Sequence, residues 1–582
     1  MNEIHQKQLP GSRLLDASTA QFRVWAPRRK TVEVEIIRDN SLEHHPLTRC
    51  EDGFFTGEVK GAKAGERYRY RLDGDVSRPD PTSRFQPEGV HGPSQLIDEN
   101  AYRWRDAKWK GLQRDDLVIY EIHVGTFSNE GTFPAASKRL DELIELGINT
   151  VEIMPVAQTP GRWNWGYDGV NLFAPACAYG PPDALKAFVD DCHQRGLAVL
   201  LDVVYNHIGP EGNYLAEYGP YFSKRHRTPW GEAFKFDEKN AGPVRDFIVG
   251  NAVYWLEEFH LDGLRLDAIR LMFDDSPTPI VREIATAVDQ IRKATGRTIH
   301  LIGETNVYDN ELLEAGYDAV WSDEIPHGIQ SIVIDQHEVA GRNYSGPDAL
   351  TDCLREGFLY EYRDGRIHRK ETAANAQLSR IVQGLQTHDQ VGNHPSGLRI
   401  NALAGPDAQK AAVALTLLHP AIPFLFMGEE FATTPFCFFV DYGDERLRKA
   451  VVAGRKRDYA HQNWKEFVSP VSEEAFLRSK LPSCEDGDSS LREWYRALLG
   501  IREEWRNAGW LNAENLTVHH DPEHQLHQLS YGPVWVAARL NSPNDSADQP
   551  IPIPNAGEVL LHSAPGSGSE LRPNQAAVGR TG

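Results

Sequence analysis

The segment G-L-R-L-D-A-I-R, from Gly263 to Arg270, places a guanidinium and a carboxylate in a run otherwise apolar enough for a buried strand. Side chains two positions apart on a strand face the same way, so Arg265 and Asp267 are predicted to share one face. A guanidinium beside a buried carboxylate supplies the charge and hydrogen bonds that keep it ionised. The segment therefore predicts a buried strand that presents a fixed, ionised carboxylate, a nucleophile, at Asp267.

Seven other apolar runs have the same character, and amphipathic helical patterns lie between most of them. They begin at Leu117, Asn149, Ala198, Thr298, Asp318, Ser379 and Ala421. Eight strands buried on both faces and separated by helices predict a multidomain α/β protein built on a (β/α)8 TIM barrel. A doubly wound parallel sheet is the alternative. The third strand precedes a Gly, Tyr and Trp-rich insertion at about residues 209–242, and long loops of this kind commonly carry function.

The chain of 582 residues is too long for one hydrophobic core, and the changes in its pattern of apolar and polar residues predict three domains. Short alternating runs predict an N-terminal, immunoglobulin-like β-sandwich over residues 1–95, in which Arg78 to Pro93 has the polar, Pro-bearing composition of a linker. The barrel is predicted over residues 96–484. Residues 485–582 are predicted to form a helix, from Ser490 to Trp505, and a small β-domain with a loose, Gly/Ser-rich tail.

Composition and charge exclude several classes of protein. The net charge of −21, without a basic excess, argues against binding to nucleic acid. The N-terminus lacks the apolar core of a signal peptide and no eighteen apolar residues run together, so we expect a cytoplasmic protein without a membrane span. Six scattered cysteines without C-x-x-C spacing predict neither a zinc site nor a disulfide framework, and we expect no metal and no cofactor.

Polar residues end several of the predicted strands, where active sites of such barrels lie. The third strand ends in D-V-V-Y-N-H (Asp202 to His207), the fifth in Glu304, and the seventh continues into T-H-D-Q with Asp389. Asp202 and His207 are an odd number of positions apart, so on a continuous strand their side chains would point to opposite faces. The chain must therefore leave strand geometry between them for both side chains to reach one pocket. Carboxylates from three strands suit glycoside hydrolysis, which needs an ionised group and a proton donor. Glu304, without a local cation, is predicted to be the general acid.

The alternative for any one of these acids is a structural ion pair or a helix N-terminus. Together, however, D-V-V-Y-N-H, G-L-R-L-D-A, I-G-E-T and T-H-D-Q resemble four short regions of the α-amylase family of glycoside hydrolases, in the same order. The resemblance implies a retaining double displacement. It implies that Asp267 is the nucleophile, Glu304 the acid/base, and Asp389 the carboxylate that binds sugar hydroxyls and stabilises the transition state.

The same resemblance implies that Tyr167, His207 and His388 contact the sugar and that Arg265 orients the nucleophile, with Asp202 supporting the site. Trp165 joins the predicted substrate-binding set because sugar rings stack on flat apolar surfaces. Further aromatic residues are predicted to line the cleft, namely Tyr221, Phe222 and Trp230. Asn206 matches a calcium-binding position of many α-amylases, but no accompanying ligands follow it, so we predict a hydrogen-bonding asparagine and no essential metal. Glu429 and Glu430 are left out of the catalytic set.

Three segments, Pro79 to Ser94, Met154 to Val170 and Gly209 to Leu215, closely resemble the trehalohydrolase branch of this family. That branch hydrolyses the α-1,4 bond next to the trehalose end of maltooligosyltrehalose, without a redox or nucleotide cofactor, and usually works beside a maltooligosyltrehalose synthase. The alternatives are a branching or debranching enzyme acting on α-1,6 linkages, and a non-catalytic glucan-binding barrel. Arg270 with Leu271, and the segment Trp321 to Gly328, depart from the family pattern near the leaving group.

Overall fold

The computed structural model describes residues 9–38, 41–305, 307, 309–339, 342–346, 348–363, 366–369, 377–432, 434–459, 464, 467–542 and 548–582. At its centre, eight parallel strands form a closed barrel. In order, they are Ile119–Ile122, Thr150–Ile153, Ala198–Val203, Gly263–Leu266, His300–Glu304, Ala319–Trp321, Ile381–Gly384 and Ile422–Phe426. The predicted TIM barrel is confirmed, because the first strand pairs with the last, Ile119 opposite Phe424, and a doubly wound sheet stays open at that edge.

Helices follow the strands and surround the barrel. The principal ones are Leu140–Leu146, Pro182–Gln194, Gly242–Glu258, Ile280–Thr295, Asn310–Ala315, Glu324–Val333, Ala349–Glu356, Pro406–Leu417, Glu445–Asp458 and Ser489–Asn507. The insertion after the third strand carries a hairpin of two strands, Phe222–Thr228 and Gly231–Phe234. No helix among the described residues combines the length and the apolar character needed to cross a membrane.

The helix Ser489–Asn507 completes the helical ring of the barrel. Nε1 of Trp494 donates to the carbonyl oxygen of Lys410 at 3.0 Å, and Nη2 of Arg492 donates to that of Glu142 at 2.8 Å. These contacts place the helix between the helix after the seventh strand and the helix after the first. The apolar face of the helix packs on the barrel, and the predicted start of the C-terminal domain at residue 485 stays a prediction. The predicted boundary between residues 95 and 96 stays a prediction.

The C-terminal domain is a five-stranded antiparallel sheet. Its order is Thr517–Asp521, Leu526–Ser530, Val534–Arg539, Gln575–Arg580 and Glu558–His562. The prediction of a loose tail is wrong, because Gln575–Arg580 lies inside the sheet with Ala576, Ala577 and Val578 buried. The prediction gave too much weight to the Gly/Ser-rich residues that precede this strand and too little to the apolar residues within it.

Two antiparallel sheets form the N-terminal domain. One contains Gly11–Asp16, Thr19–Trp25, Phe54–Lys60 and Thr48–Arg49, and the other contains Ser41–Pro46, Val32–Arg38, Arg67–Leu72, Val76–Arg78 and Ser94–Gln95. The segment predicted as a linker is instead buried. Tyr68 donates to Oδ2 of Asp80 at 2.7 Å, and the guanidinium of Arg84 lies over the rings of Phe173 and Tyr254 of the barrel. Its polar side chains are buried because they bond to one another, which composition alone does not reveal.

The N-terminal domain also holds the insertion that follows the third barrel strand. Nε of Arg78 lies 2.9 Å from Oε1 of Glu217, and Nε of Arg29 donates to the carbonyl oxygen of the same residue at 2.7 Å. The rings of Trp25 and Tyr221 pack edge to face, with centroids 5.1 Å apart. The insertion is therefore fixed between the two domains.

A buried histidine near the opposite end of the barrel lies between two carboxylates. His193 Nδ1 is 3.0 Å from Oδ2 of Asp106, and Nε2 is 2.8 Å from Oδ2 of Asp262. Burial lowers the pKa of His193, but the two carboxylates outweigh it and raise this pKa above its ordinary value. Burial alone would raise the pKa of Asp262. The contacts with His193 and Arg297 outweigh this effect, so the pKa of Asp262 lies below its ordinary value.

His193→Ala is expected to reduce the free energy of unfolding by about 3 kcal/mol or more, because it leaves two buried carboxylates without their shared partner. Since the folded-state pKa of His193 lies above 6.5, its contribution is complete below pH 6.5 and is lost as the pH rises through the folded-state value. The Asp262 contribution is lost at the acid end, as the pH falls through its lowered pKa. Urea unfolding from pH 5 to pH 9 tests this. His260→Ala, which removes the less buried partner of Asp106, is the control, and an equal loss in both variants would contradict the prediction.

Candidate active site

Asp267 directly follows the fourth barrel strand, at the edge where the strands end. Its Oδ1 accepts a hydrogen bond from Nη1 of Arg265 at 2.8 Å, and its Oδ2 accepts one from Nδ2 of Asn206 at 2.9 Å. The predicted common face of Arg265 and Asp267 is confirmed. Because a guanidinium and an amide each hold one oxygen, the carboxylate is fixed in orientation.

The guanidinium of Arg265 also links Asp267 to the third strand. The same Nη1 donates to Oδ2 of Asp202 at 2.8 Å, and the guanidinium carbon lies 4.5 Å from the ring centroid of Trp321. Burial raises the pKa of Asp202 to about 6, against the opposing effect of Arg265. The third strand ends at Val203, so the chain leaves strand geometry between Asp202 and His207, as their parity requires.

Glu304 ends the fifth strand beside the residue that follows Asp267. Its Oε2 accepts a hydrogen bond from the backbone N–H of Ala268 at 2.6 Å, which leaves Oε1 to carry a proton. Ala268 has a φ of 39°, and this left-handed conformation, rare for a residue with a side chain, turns its N–H toward the acid. Burial and the negative charge of Asp267 raise the pKa of Glu304 to about 8, although Arg265 lowers it. At neutral pH Glu304 is therefore mostly protonated.

Tyr167 and His388 extend the same hydrogen-bonded network. The hydroxyl of Tyr167 donates to Oδ2 of Asp202 at 2.7 Å and lies 2.8 Å from Nε2 of His388. The two rings are stacked, with centroids 5.2 Å apart. Nδ1 of His388 lies 2.5 Å from Oε1 of Glu121, on the first strand. Sequence reasoning missed Glu121, although an acid inside the apolar run L-V-I-Y-E-I-H-V was a signal of the same kind as Arg265.

Asp389 and His207 lie beside this network. The side chain of Asp389 is half exposed, and its Oδ2 lies 3.7 Å from Nε2 of His388. His207 contacts Oδ1 of Asn206 through Nδ1 at 2.5 Å, and burial lowers its pKa, so the imidazole is neutral. The ring of Trp230, 55% exposed near the turn of the insertion hairpin, lies 5.2 Å from that of His207. Asp389 and Trp230 thus combine accessible surface with nearness to the network.

Two aromatic residues that were predicted to contact the sugar lie in the core. Trp165 is 2% exposed, and its Nε1 donates to the carbonyl oxygen of Cys437 at 2.9 Å. Its ring packs edge to face against the ring of His388. Tyr221 is 3% exposed against Trp25. Both side chains therefore serve the core, and their predicted sugar contacts stay predictions. Phe222 is half-buried on Phe234.

The segments that depart from the α-amylase pattern are largely occupied by structural contacts. Arg270 forms an ion pair with Asp309. Glu324 is fully buried and accepts from Nη1 of Arg342 at 2.8 Å. Asp323, between Trp321 and Glu324, is only partly buried, and its charge contributes to the raised pKa of Glu304.

Among the described residues, one group of side chains has the spacing of a metal site. Ligand atoms of His226, Asp237 and Asp275 lie within 4.8 Å of one another. Arg225 lies 2.5 Å from the carboxylate of Asp275 and 3.5 Å from that of Asp237. These acids therefore already have a cationic partner. Asn206, at the position compared with calcium ligands, directs its amide to Asp267.

The sequence matches the family "Alpha amylase, catalytic domain" over residues 105–230. It is 38% identical to the malto-oligosyltrehalose trehalohydrolase of Saccharolobus solfataricus, an alignment that covers 84% of this chain and 86% of that protein. A 1,4-alpha-glucan branching enzyme of Salinibacter ruber is 30% identical over 70% of each chain. The crystal structure of a candidate alpha amylase from Salmonella typhimurium superposes with a TM-score of 0.87 at 34% identity, covering 98% of this chain and 99% of that one.

The superposition on the Salmonella typhimurium structure covers nearly the whole chain, and the trehalohydrolase shares more of its sequence with this chain than the branching enzyme does. At the barrel edge, a carboxylate held by two hydrogen-bond donors follows one strand and an acid with a raised pKa ends the next, and glycoside hydrolysis uses a pair of carboxyl groups. The chain belongs to the malto-oligosyltrehalose trehalohydrolase family and is a glycoside hydrolase of the α-amylase class.

Proposed function

We propose that this enzyme cleaves the α-1,4-glucosidic bond next to the trehalose end of maltooligosyltrehalose, releasing trehalose and a maltooligosaccharide. The observation that carries the chemistry is the contrast between Asp267, held by Arg265 and Asn206, and Glu304, whose pKa burial raises to about 8. The choice of bond is supported by the relative named malto-oligosyltrehalose trehalohydrolase.

The reaction proceeds in two displacements at the same anomeric carbon. Asp267 attacks that carbon while Glu304 gives its proton to the glycosidic oxygen, so trehalose leaves and a glucosyl ester of Asp267 forms. Glu304, now ionised, takes a proton from water as the water attacks the ester. The ester bond breaks, Asp267 is regenerated, and the maltooligosaccharide leaves with its original α configuration.

The remaining groups bind and orient the reacting sugar. Asp389, half exposed beside His388, is placed to accept hydrogen bonds from sugar hydroxyls. The partly exposed ring of Tyr167, stacked on buried His388, offers a flat surface, and neutral His207 offers a second hydrogen-bonding group. The proposed setting is the cytoplasm, where a maltooligosyltrehalose synthase supplies the substrate as functional partner.

Product analysis is expected to distinguish this function from its α-1,6 alternative. With maltotriosyl-trehalose, chromatography should show rapid release of trehalose and maltotriose, while maltopentaose and glycogen are attacked slowly. Proton NMR during the first turnovers should show the reducing end of maltotriose as the α anomer. New branches or debranched chains without trehalose would instead support a branching or debranching enzyme, and an initial β anomer would contradict the double displacement.

A further inference from the structure

We propose that Glu121 is a positioning residue that holds His388 in a doubly protonated state and thereby orders the hydrogen bonds leading to Asp267. This inference rests on the proposed function, because it assigns a role within the same catalytic site. Glu121 lies on the first barrel strand, is fully buried and is separate from the predicted sugar-binding set.

Both carboxylate oxygens of Glu121 contact the same residue. Oε1 lies 2.5 Å from Nδ1 of the His388 ring, and Oε2 accepts a hydrogen bond from the His388 backbone N–H at 3.1 Å. A side-chain contact and a backbone contact from one rigid strand leave the imidazole little freedom to rotate. Glu121 therefore fixes the plane of the ring on which Tyr167 is stacked.

The direction of the hydrogen bonds requires a proton on each nitrogen of His388. The single hydroxyl proton of Tyr167 is donated to Asp202, whose carboxylate is also held by Arg265. His388 Nε2 must then donate to the oxygen of Tyr167 across 2.8 Å, because that oxygen has no second proton to give. At Nδ1 the partner is the carboxylate of Glu121, which only accepts. Burial lowers the pKa of His388, but Glu121 and Asp389 outweigh this and raise it to about 10.

A second buried acid provides an internal comparison. Glu152, on the second strand, is the direct register partner of Glu121 and is equally buried. Neither of its carboxyl oxygens has a hydrogen-bond partner among the described residues, and burial together with the charge of Glu121 raises its pKa well above the ordinary value. The same two strands therefore place side by side one buried acid that contacts His388 and one whose carboxyl oxygens have no partner among the described residues.

Several other groups also act on the charge of His388. The titratable groups that face it from the surrounding elements are Glu121, His123, Glu152, Tyr167, Asp202, Arg265 and Asp389. Of these acids, Glu121 is the one at Nδ1, while Asp389 lies 3.7 Å from Nε2. Removing the charge of Glu121 therefore removes the partner that holds the second proton.

The test compares Glu121→Gln with Glu152→Gln, using α-maltosyl fluoride as substrate. Fluoride leaves without a proton from Glu304. With this substrate, the alkaline limb, meaning the fall of kcat/KM at high pH, therefore no longer reports the loss of the Glu304 proton. We expect Glu121→Gln to move the alkaline limb to lower pH and to reduce kcat/KM at pH 8 by about 10- to 100-fold. Glu152→Gln alters an equally buried neighbouring acid that makes no hydrogen bond to His388, so it is expected to leave the limb in place.

An unmoved limb in Glu121→Gln, or an equal displacement in both variants, would overturn the inference. Addition of Glu121→Gln to a His388→Asn variant should cause no further displacement, and an additive loss would also overturn it. Should Glu121→Gln fail to fold, Glu121→Asp keeps the charge but shortens the side chain. It is expected to retain the limb with lower kcat/KM, and wild-type kcat/KM would count against a positioning role. Failure of the wild-type enzyme to hydrolyse maltotriosyl-trehalose would instead refute the proposed function.

Discussion

Glu304→Gln is expected to reduce kcat for maltotriosyl-trehalose by about a thousandfold or more, while KM changes little. The amide has nearly the shape of the acid, and its oxygen can still accept the hydrogen bond from Ala268. It has no acidic proton to give to the departing trehalose. Stopped assays of trehalose release, with substrate binding measured separately by calorimetry, check both parts of this expectation.

The pH dependence and the leaving group give matched controls for this variant. Because the pKa of Glu304 is raised to about 8, the wild-type enzyme keeps its proton donor at neutral pH and should lose kcat/KM as the pH rises through that value. The same limb should be absent in Glu304→Gln. With α-maltosyl fluoride the first step needs no proton, so the variant should form its glucosyl ester at a rate much closer to that of wild type. Near-wild-type hydrolysis of maltotriosyl-trehalose would refute the role of Glu304.

The barrel was predictable because its strands are short apolar runs whose polar exceptions lie at the ends. Arg265 and Asp267 could be placed on one face from parity alone, since a strand alternates its side chains with a fixed period. Their hydrogen bond confirms that reasoning. The left-handed turn at Ala268, by contrast, is a consequence of tertiary packing around Glu304 and leaves no mark in the residue type.

The sequence could not decide the surroundings of residues whose role depends on what packs against them. Trp165 and Tyr167 are two positions apart in one motif, yet the first is covered by Phe436 and Cys437 while the second reaches Asp202. The helix Ser489–Asn507 has an amphipathic pattern that fits a barrel helix and a separate domain equally well. Glu121 was recognisable as a polar exception in the first strand, but its partner His388 lies 267 residues further along the chain.

Replacement of the nucleophile is expected to have the largest effect on catalysis. Asp267→Gly should reduce kcat for maltotriosyl-trehalose by about 10⁴-fold or more, because no glucosyl ester can form. Arg265 and Asn206 then lose the carboxylate that they share, and this space can admit a small anion. Asn206→Ala, which removes one of the two donors and keeps the nucleophile, should cost far less and serves as the matched control.

Azide rescue with α-maltosyl fluoride assigns the two acids independently of the size of these losses. In Asp267→Gly, azide takes the position of the missing carboxylate and displaces fluoride once, so the product should be β-maltosyl azide. In Glu304→Gln the maltosyl ester on Asp267 still forms with one inversion, and azide then attacks it from the opposite face, so the product should be α-maltosyl azide. Opposite anomers from the two variants can arise only if one residue acts from each face of the sugar. The same anomer from both, or the reverse assignment, would refute the proposed roles of Asp267 and Glu304.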